Sequence, residues 1–276
     1  LDANTTGIKN NSLGNYSLSN NTTGGFNSAF GHEALSQNTT ADYNTAIGSL
    51  SLTVNTTGHS NTALGMNSLA SNTTGNYNTA SGYGALYAAT TANSNTAFGR
   101  RALYNTTTGA SNTGLGEQAL DSNTTGTQNT ATGLGAMYLN TTGSNNTATG
   151  YTALRNNTTA NNNSAFGYRT MRENTTGADN TAMGHYAMYD NTTGAENVAI
   201  GKSALANNTT ANENVAIGFA SLDANTTGAR NTSVGKSALA SNTTGTRNTA
   251  IGNVALNQNT TGSWNSAVGA NSLKAN

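Results

Sequence analysis

Large apolar residues recur along this chain at a fixed interval of 17 residues, and each set of equivalent positions is called a column below. One column runs Leu13, Phe30, Ile47 and onward, and a second runs Leu18, Leu35 and onward with methionine as its only substitute. Sixteen copies follow one another without insertion or deletion. A short, strict period predicts a solenoid, because each copy buries its apolar residues only by stacking on its neighbours.

Small and large residues alternate within each copy, which is the side-chain period of a β-strand. In the segment 28–31, Ala29 is small and Phe30 is large, so their side chains are expected to face opposite sides. We expect the column of Phe30 to point inward. The column of Ala29, with the adjoining glycine, would then form a smooth outer face open to another copy of the chain. The column of Leu35 predicts a second, shorter strand.

The pattern therefore predicts an all-β fold, a parallel β-solenoid (β-roll) of sixteen 17-residue turns with two short strands per turn. We expect residues 1–276 to form one continuous repeat array, uncapped at both ends and part of a longer fibre. Asparagine suits a ladder of identical side chains because its amide both donates and accepts hydrogen bonds. The columns expected to form such structural ladders are those of Asn10, Asn27 and Asn197, of Gly14 and Gly201, and of Leu18 and Leu205.

Most variation between copies falls beside the second apolar column, where many aromatic and basic residues collect. Because the copies differ most in this belt, it is the part of the surface able to encode a specific contact with glycans or with a host or abiotic surface. The candidate surface contacts are Tyr83, Tyr87, Arg100, Arg101, Tyr104, Tyr138, Tyr151, Tyr168, Arg169, Tyr186 and Tyr189.

Composition narrows the possible functions. Eleven basic and eleven acidic side chains cancel, and charged residues make up only 8% of the chain, so there is no basic footprint for nucleic acid. No apolar run is long enough to span a membrane. The absence of cysteine excludes disulfides and thiolate metal sites, and scattered histidines and carboxylates predict no metal or cofactor site and no enzymatic activity. Disorder is the alternative for so polar a chain, but disorder does not explain sixteen copies kept in phase.

The segment Asn197–Gly201, with Ala204 three residues further on, resembles the head repeats of YadA-like trimeric autotransporter adhesins. The fuller phrase NTTGxxNTAxGxxAL looks similar to repeat regions of phage-type tail-fibre proteins. The resemblance implies a left-handed parallel β-roll that assembles as a homotrimer, lies outside the cell or on a cell or virion surface, and attaches to host surfaces. The repeat here is longer than the typical adhesin head repeat.

These features predict a structural and adhesive extracellular fibre or filament, a rigid rod that self-associates as a homotrimer or end to end. A plain spacer without a ligand fits the same pattern. The alternative is ice binding (antifreeze activity) through threonine ladders, because the columns of Thr5 and Thr6 are filled in all sixteen copies. Against it, adjacent residues of a strand face opposite sides. The Asn-Thr-Thr phrases also match glycosylation sequons, although glycans on turns about 4.8 Å apart would collide.

Overall fold

The computed structural model describes residues 2–274, which contain sixteen three-residue strands and no helix. One strand falls in each repeat, at the segment that carries the small and large alternation. The strands are β1 (Asn11–Leu13), β2 (Ser28–Phe30), β3 (Thr45–Ile47), β4 (Thr62–Leu64), β5 (Thr79–Ser81), β6 (Thr96–Phe98), β7 (Thr113–Leu115), β8 (Thr130–Thr132), β9 (Thr147–Thr149), β10 (Ser164–Phe166), β11 (Thr181–Met183), β12 (Val198–Ile200), β13 (Val215–Ile217), β14 (Thr232–Val234), β15 (Thr249–Ile251) and β16 (Ser266–Val268).

The chain falls into two compact units, Leu1–Thr142 and Gly143–Asn276. The first unit contains β1 to β8 and the second contains β9 to β16, and within each unit consecutive strands pair in parallel. The register joins residues 17 apart, as in Thr45 with Thr62 and Ile47 with Leu64. Equivalent residues of successive copies therefore lie side by side, which confirms the predicted all-β, parallel β-solenoid.

The strands turn their small residues inward, so the predicted orientation was wrong. Ala29 is fully buried, whereas Leu13 is 69% exposed and Phe98 is 60% exposed. The interior is narrow because the second apolar column fills it from the opposite wall. At Gly114, which occupies the alanine column, an added Cβ would lie only 3.3 Å from the Cγ atom of Leu103. Only a small side chain such as that of alanine or serine fits there, and the large residues of each strand face outward.

The segment around the second apolar column is not a strand, so each turn has one strand instead of the two predicted. Glu33 and Leu35 both adopt positive φ values, 54° and 52°, with Ala34 between them. The backbone amide of Leu35 donates to the carbonyl of Ser51 in the next turn at 3.1 Å, while that of Ala34 donates locally to Gly31 at 3.3 Å. Alternating left-handed residues bend the chain back on itself, and this bend closes each turn.

The glycine column that begins at Gly14 has two reasons to exclude other residues. Gly48 has a φ of 129°, a conformation that side chains rarely adopt. A Cβ at Gly48 would also lie 2.6 Å from the carbonyl carbon of Gly65 in the next turn. The glycine of the NTTG phrase differs: Gly24 has no positive φ, and Ala41 occupies the same column in the next copy.

Two asparagine columns form buried ladders that tie successive turns together. The side-chain oxygen of Asn10 accepts the backbone amide of Asn27 at 2.9 Å, and the Asn27 side chain donates to the carbonyl of Ala41 at 2.8 Å. In the NTTG column, Asn21 donates to the side-chain oxygen of Asn4 at 2.9 Å. Asn21 and Asn27 are fully buried. Asparagines of the Asn21 column are therefore occupied inside the fold and closed to glycan attachment.

The NTTG ladder is interrupted at two adjacent positions, Ala89 and Thr106. Ala89 has no amide to donate, and the side-chain oxygen of Asn72 in the preceding turn is buried without a hydrogen-bond partner. Beyond the interruption, the side chain of Asn123 reaches the Thr106 hydroxyl at 3.4 Å, which is long for a hydrogen bond. The interruption therefore leaves a buried acceptor unsatisfied.

We expect Ala89→Asn to stabilise the protein by about 1 kcal/mol, because the new amide would donate to the unsatisfied oxygen of Asn72. The matched control is Asn55→Ala, which removes a working member of the same ladder and should cost about 1 to 3 kcal/mol. Chemical denaturation followed by circular dichroism measures both changes. If Ala89→Asn lowered the free energy of unfolding, the asparagine ladder would not be the source of the expected stabilisation.

Alanine substitution should separate the two glycine columns. Gly201→Ala combines a φ of 130° with a Cβ placed 2.6 Å from the Gly218 carbonyl oxygen, so we expect a loss of more than about 2 kcal/mol. Gly194→Ala also places a Cβ close to a carbonyl oxygen, 2.5 Å from that of Ala211, but Gly194 has no positive φ and Ala211 already supplies alanine in the next copy, so its cost should be smaller. Thermal unfolding midpoints of the two variants test this order, and equal losses would contradict it.

Candidate functional surfaces

The outer side of the strands presents two parallel columns, which we call the strand face. The first and third residues of each strand point outward, as Thr45 and Ile47 do on β3, while the middle residue is buried. The first position is threonine in ten of the sixteen strands, and the third is a large apolar residue in thirteen. A threonine column therefore runs beside an apolar column at the strand spacing of about 4.8 Å.

The apolar column of the strand face is exposed in both units. In the first unit it includes Phe30, Ile47 and Leu64, which are exposed by 39%, 40% and 47%. In the second unit Ile200 and Ile217 are each exposed by 37%. Isolated exposed apolar residues are ordinary, whereas a row of neighbouring ones is a candidate interaction surface. The sequence offered a signal for this face, since the threonine lies two residues before the large apolar residue and a strand has a period of two.

The two threonine columns of the NTTG phrase have different roles. The hydroxyl of Thr22 donates to the carbonyl of Thr39 in the next turn at 3.0 Å, and that carbonyl also accepts the backbone amide of Thr22 at 2.9 Å. Thr23, which represents the second column, is exposed. The first of these columns therefore stabilises the turn, and only the second presents its side chains to solvent.

In the first unit the candidate contacts gather around a stack of two tyrosines. The rings of Tyr87 and Tyr104 are 5.0 Å apart and nearly parallel, and the Arg101 guanidinium lies 4.4 Å from the Tyr104 centroid. Arg101 makes two hydrogen bonds to the carboxylate of Asp121, at 2.9 and 3.1 Å. These hydrogen bonds raise the pKa of Arg101 above its ordinary value, against the opposing effect of burial. Asp121, which was not predicted, is almost fully buried and holds the arginine against the ring.

The remaining predicted residues of the first unit lie at its surface. Arg100 pairs with Glu117 of the next turn, with 3.1 Å between its Nε atom and the carboxylate. Tyr83 is 48% exposed, and Tyr138 is half-buried. Arg100 and Arg101 thus each bind a carboxylate of a later turn, which leaves less cationic surface than the sequence suggested.

In the second unit a longer aromatic stack forms along three successive turns. Tyr168 lies between Tyr151 and His185, with ring centroids at 5.3 and 5.1 Å and nearly parallel planes. Arg169 lies over Tyr168, 5.1 Å from its centroid, and donates to the hydroxyl of Tyr186 at 3.0 Å, which raises the pKa of Arg169. His185 was missed as a contact although it lies 17 residues after Tyr168 in the same column, so the repeat period was the signal that could have found it. Stacking covers the ring faces, while Tyr151 and Tyr168 remain 43% and 39% exposed.

A second group adjoins this stack. Tyr189 lies edge to face with Tyr186 at 4.9 Å, and its hydroxyl accepts a hydrogen bond from Arg172 at 3.3 Å. Arg172 also pairs with the carboxylate of Glu173. Burial and, to a lesser extent, the charge of Glu173 raise the pKa of Asp190 above its ordinary value. Asp190 is therefore a carboxylate held in a site that disfavours its charge.

Comparison with protein-family models, with curated proteins and with solved structures found no match. The resemblance to adhesin heads and tail fibres thus stays a prediction. Within residues 2–274, no three histidine, cysteine or acidic side chains are grouped so as to hold a metal ion. The same residues include no helix that could cross a membrane.

Asp190→Asn should stabilise the protein at neutral pH and lose this advantage in acid. A carboxylate whose folded pKa is raised favours folding only while protonated, so its charged form destabilises the fold as the pH rises through that pKa. Asparagine removes the charge, and Asn156 and Asn207 show that the column accepts it. Unfolding midpoints of wild type and variant between pH 3 and pH 7 measure the difference, and a constant difference across this range would contradict the prediction.

Proposed function

We propose that this chain is a structural and adhesive fibre protein, located outside the cell or on a cell or virion surface. In this proposal its β-solenoid self-associates through the strand face, and its aromatic and arginine clusters contact glycans or a host or abiotic surface. No catalysis is assigned to it. The observation that carries the proposal is the exposed apolar column, which runs beside the threonine column in both units.

A second copy of the chain is the occupant that best fits this face. The strand face repeats every strand, at about 4.8 Å, and a partner without that repeat would match it only locally. A second copy carries the same repeat, so apolar residues such as Ile200 and Ile217 can meet apolar residues at most positions of the line. The flanking threonine hydroxyls can donate and accept hydrogen bonds at the border of such an interface.

This route to self-association replaces the smooth alanine face expected from sequence. The alanine column, represented by Ala199 and Ala216, is fully buried inside the single chain and is closed to a partner. The outward apolar column takes its place as the surface to be covered. Among possible assemblies, the family resemblance favours a homotrimer, while an end-to-end filament would cover turn ends and leave the strand face open.

The aromatic clusters support the adhesive part of the proposal. In both clusters a guanidinium group lies against a tyrosine: Arg101 lies over the ring of Tyr104, and Arg169 donates to the hydroxyl of Tyr186. These groups lie on the segment that follows the strand, so attachment and self-association would use different sides of a turn. Polar surfaces of this kind form hydrogen bonds with the hydroxyl groups of glycans.

Charges placed on the strand face should abolish self-association. In the double variant Ile200→Lys/Ile217→Lys, both substitutions are at exposed positions, so the solenoid itself should still fold. Association would then bury two lysine charges from each chain in the interface, which is unfavourable. We expect the dissociation constant of the oligomer to rise by roughly 100-fold or more. Sedimentation velocity over a range of concentrations measures this change, and circular dichroism checks the fold.

The matched control is Phe219→Lys, which charges an exposed apolar residue outside the strands. It should leave the oligomer intact. A wild-type chain that sediments as a monomer at every concentration, or a control that dissociates as fully as the double variant, would contradict self-association through the strand face.

Ice binding is a second candidate, favoured by the regular threonine column of the strand face. This column, with Thr45 and Thr62 as neighbours, is a better candidate than the NTTG threonines because it lies on the outer side of a ladder of strands. The adjoining column weakens the idea, since Phe30 and Phe98 are bulky and would make the face uneven. A thermal-hysteresis measurement decides: growth arrest of ice by the wild-type protein supports this candidate, and its absence removes it.

A further inference from the structure

A groove of about 410 Å³ opens on the first unit, away from the strands. Its floor is the column of Ser19, Ser36 and Thr53, and its walls include Tyr16 and Glu33 on one side. Gln37 and Val54 form the opposite wall. This volume falls within the usual range of small-molecule sites, about 300 to 1,000 Å³.

The groove exists because these copies carry small residues where the copies with Tyr87 and Tyr104 carry large ones. The floor column continues to Tyr87 and Tyr104, whose stacked rings fill the equivalent space two and three turns beyond Thr53. There the wall residue is Gly84, and a Cβ on it would lie 3.0 Å from the Tyr104 ring. The first turns therefore keep open a space that the same fold closes with aromatic rings elsewhere.

The lining combines one aromatic ring with polar groups that retain bonding capacity. Tyr16 is 59% exposed and meets His32 only edge to face at 6.4 Å, unlike the parallel stacks of the later tyrosines. The hydroxyl of Ser36 reaches the Thr53 carbonyl at 3.4 Å, which is a weak contact. The side-chain oxygen of Gln37 accepts from Asn20 at 3.1 Å, so its amide hydrogens remain available.

Electrostatics restrict the class of ligand. Glu33 supplies a carboxylate whose nearest basic neighbour is His32, 3.7 Å away. No lysine or arginine lines the groove, so an anionic ligand would meet a carboxylate without compensation. A ligand with several hydroxyl groups and one apolar face would satisfy the acceptors and donors while packing on the ring.

We propose that this groove binds a neutral saccharide, packed on the Tyr16 ring and hydrogen-bonded to Glu33, Gln37 and the floor hydroxyls. This inference deepens the adhesive part of the proposed function by naming a site and a ligand class, and it does not depend on self-association. The groove lies in the first turns of the predicted aromatic belt, in the columns that later carry Tyr104 and Arg101, but none of the candidate residues singled out from sequence lines it.

Saturation-transfer NMR with lactose, maltose and cellobiose as probes tests the site. At least one of the three should give saturation transfer with the wild-type chain. Ser36→Tyr introduces into the floor the residue that fills this column at Tyr87, and Tyr16→Ala removes the aromatic wall. Each variant should bind the same probe roughly tenfold more weakly or worse, as expected when a site is filled or loses its aromatic contact.

The matched control is Ala240→Tyr, which adds the same side chain to the same column outside the groove and should leave saccharide binding unchanged. The proposal would be overturned if none of the three sugars gave saturation transfer, or if transfer survived Ser36→Tyr. It would also be overturned if the cation tetramethylammonium gave saturation transfer and the sugars did not. Sedimentation of the same samples keeps the two proposals separate, since groove variants should not change the oligomeric state.

Discussion

The fold depends on buried asparagine amides whose hydrogen-bond partners lie in neighbouring turns. The oxygen of Asn10 accepts from Asn27, 17 residues later, and the same relation repeats along the column. An inserted residue would move these amides away from their partners and leave polar groups buried and unpaired, at about 1 to 3 kcal/mol each. This penalty accounts physically for a period without insertions. It also explains why the copies differ at exposed positions, since the side chains there make none of these buried asparagine hydrogen bonds.

The same narrow interior explains the unusual backbone. Each turn encloses an alanine column facing a leucine column, so the core gains little from any one residue and depends on repetition. Leu35 is placed in that core by a left-handed conformation, which costs about 1 to 2 kcal/mol for a residue with a side chain. Complete burial of a leucine returns about 1.5 to 3 kcal/mol, which offsets the strain. Gly48 meets a stricter limit, because the backbone of the next turn occupies the place of its side chain.

Periodicity alone predicted the parallel pairing, since a constant period is also the register between copies. It could not predict the inner side of the strand, because alternation shows which residues share a face and not which face is enclosed. The usual preference for burying the larger residue failed at Phe30, since Leu35 and its equivalents already fill the interior. The left-handed segment escaped prediction because leucine seldom adopts positive φ. Asp121 was missed because its contact with Arg101 joins residues 20 apart, in different columns, which the period does not pair. His185 was within reach of the period, since it stacks on the tyrosine 17 residues earlier.

The outward direction of the large strand residues has a broader consequence. Because the side chain of Ile47 or Phe98 is exposed and makes none of the hydrogen bonds that hold the turns, its identity can drift in evolution without unfolding the chain. The interior columns hold nearly the same residue in every copy, whereas the exterior columns vary from copy to copy. A gene that lengthens by copying whole repeats would extend the scaffold at once and diversify its exterior afterwards, one turn at a time.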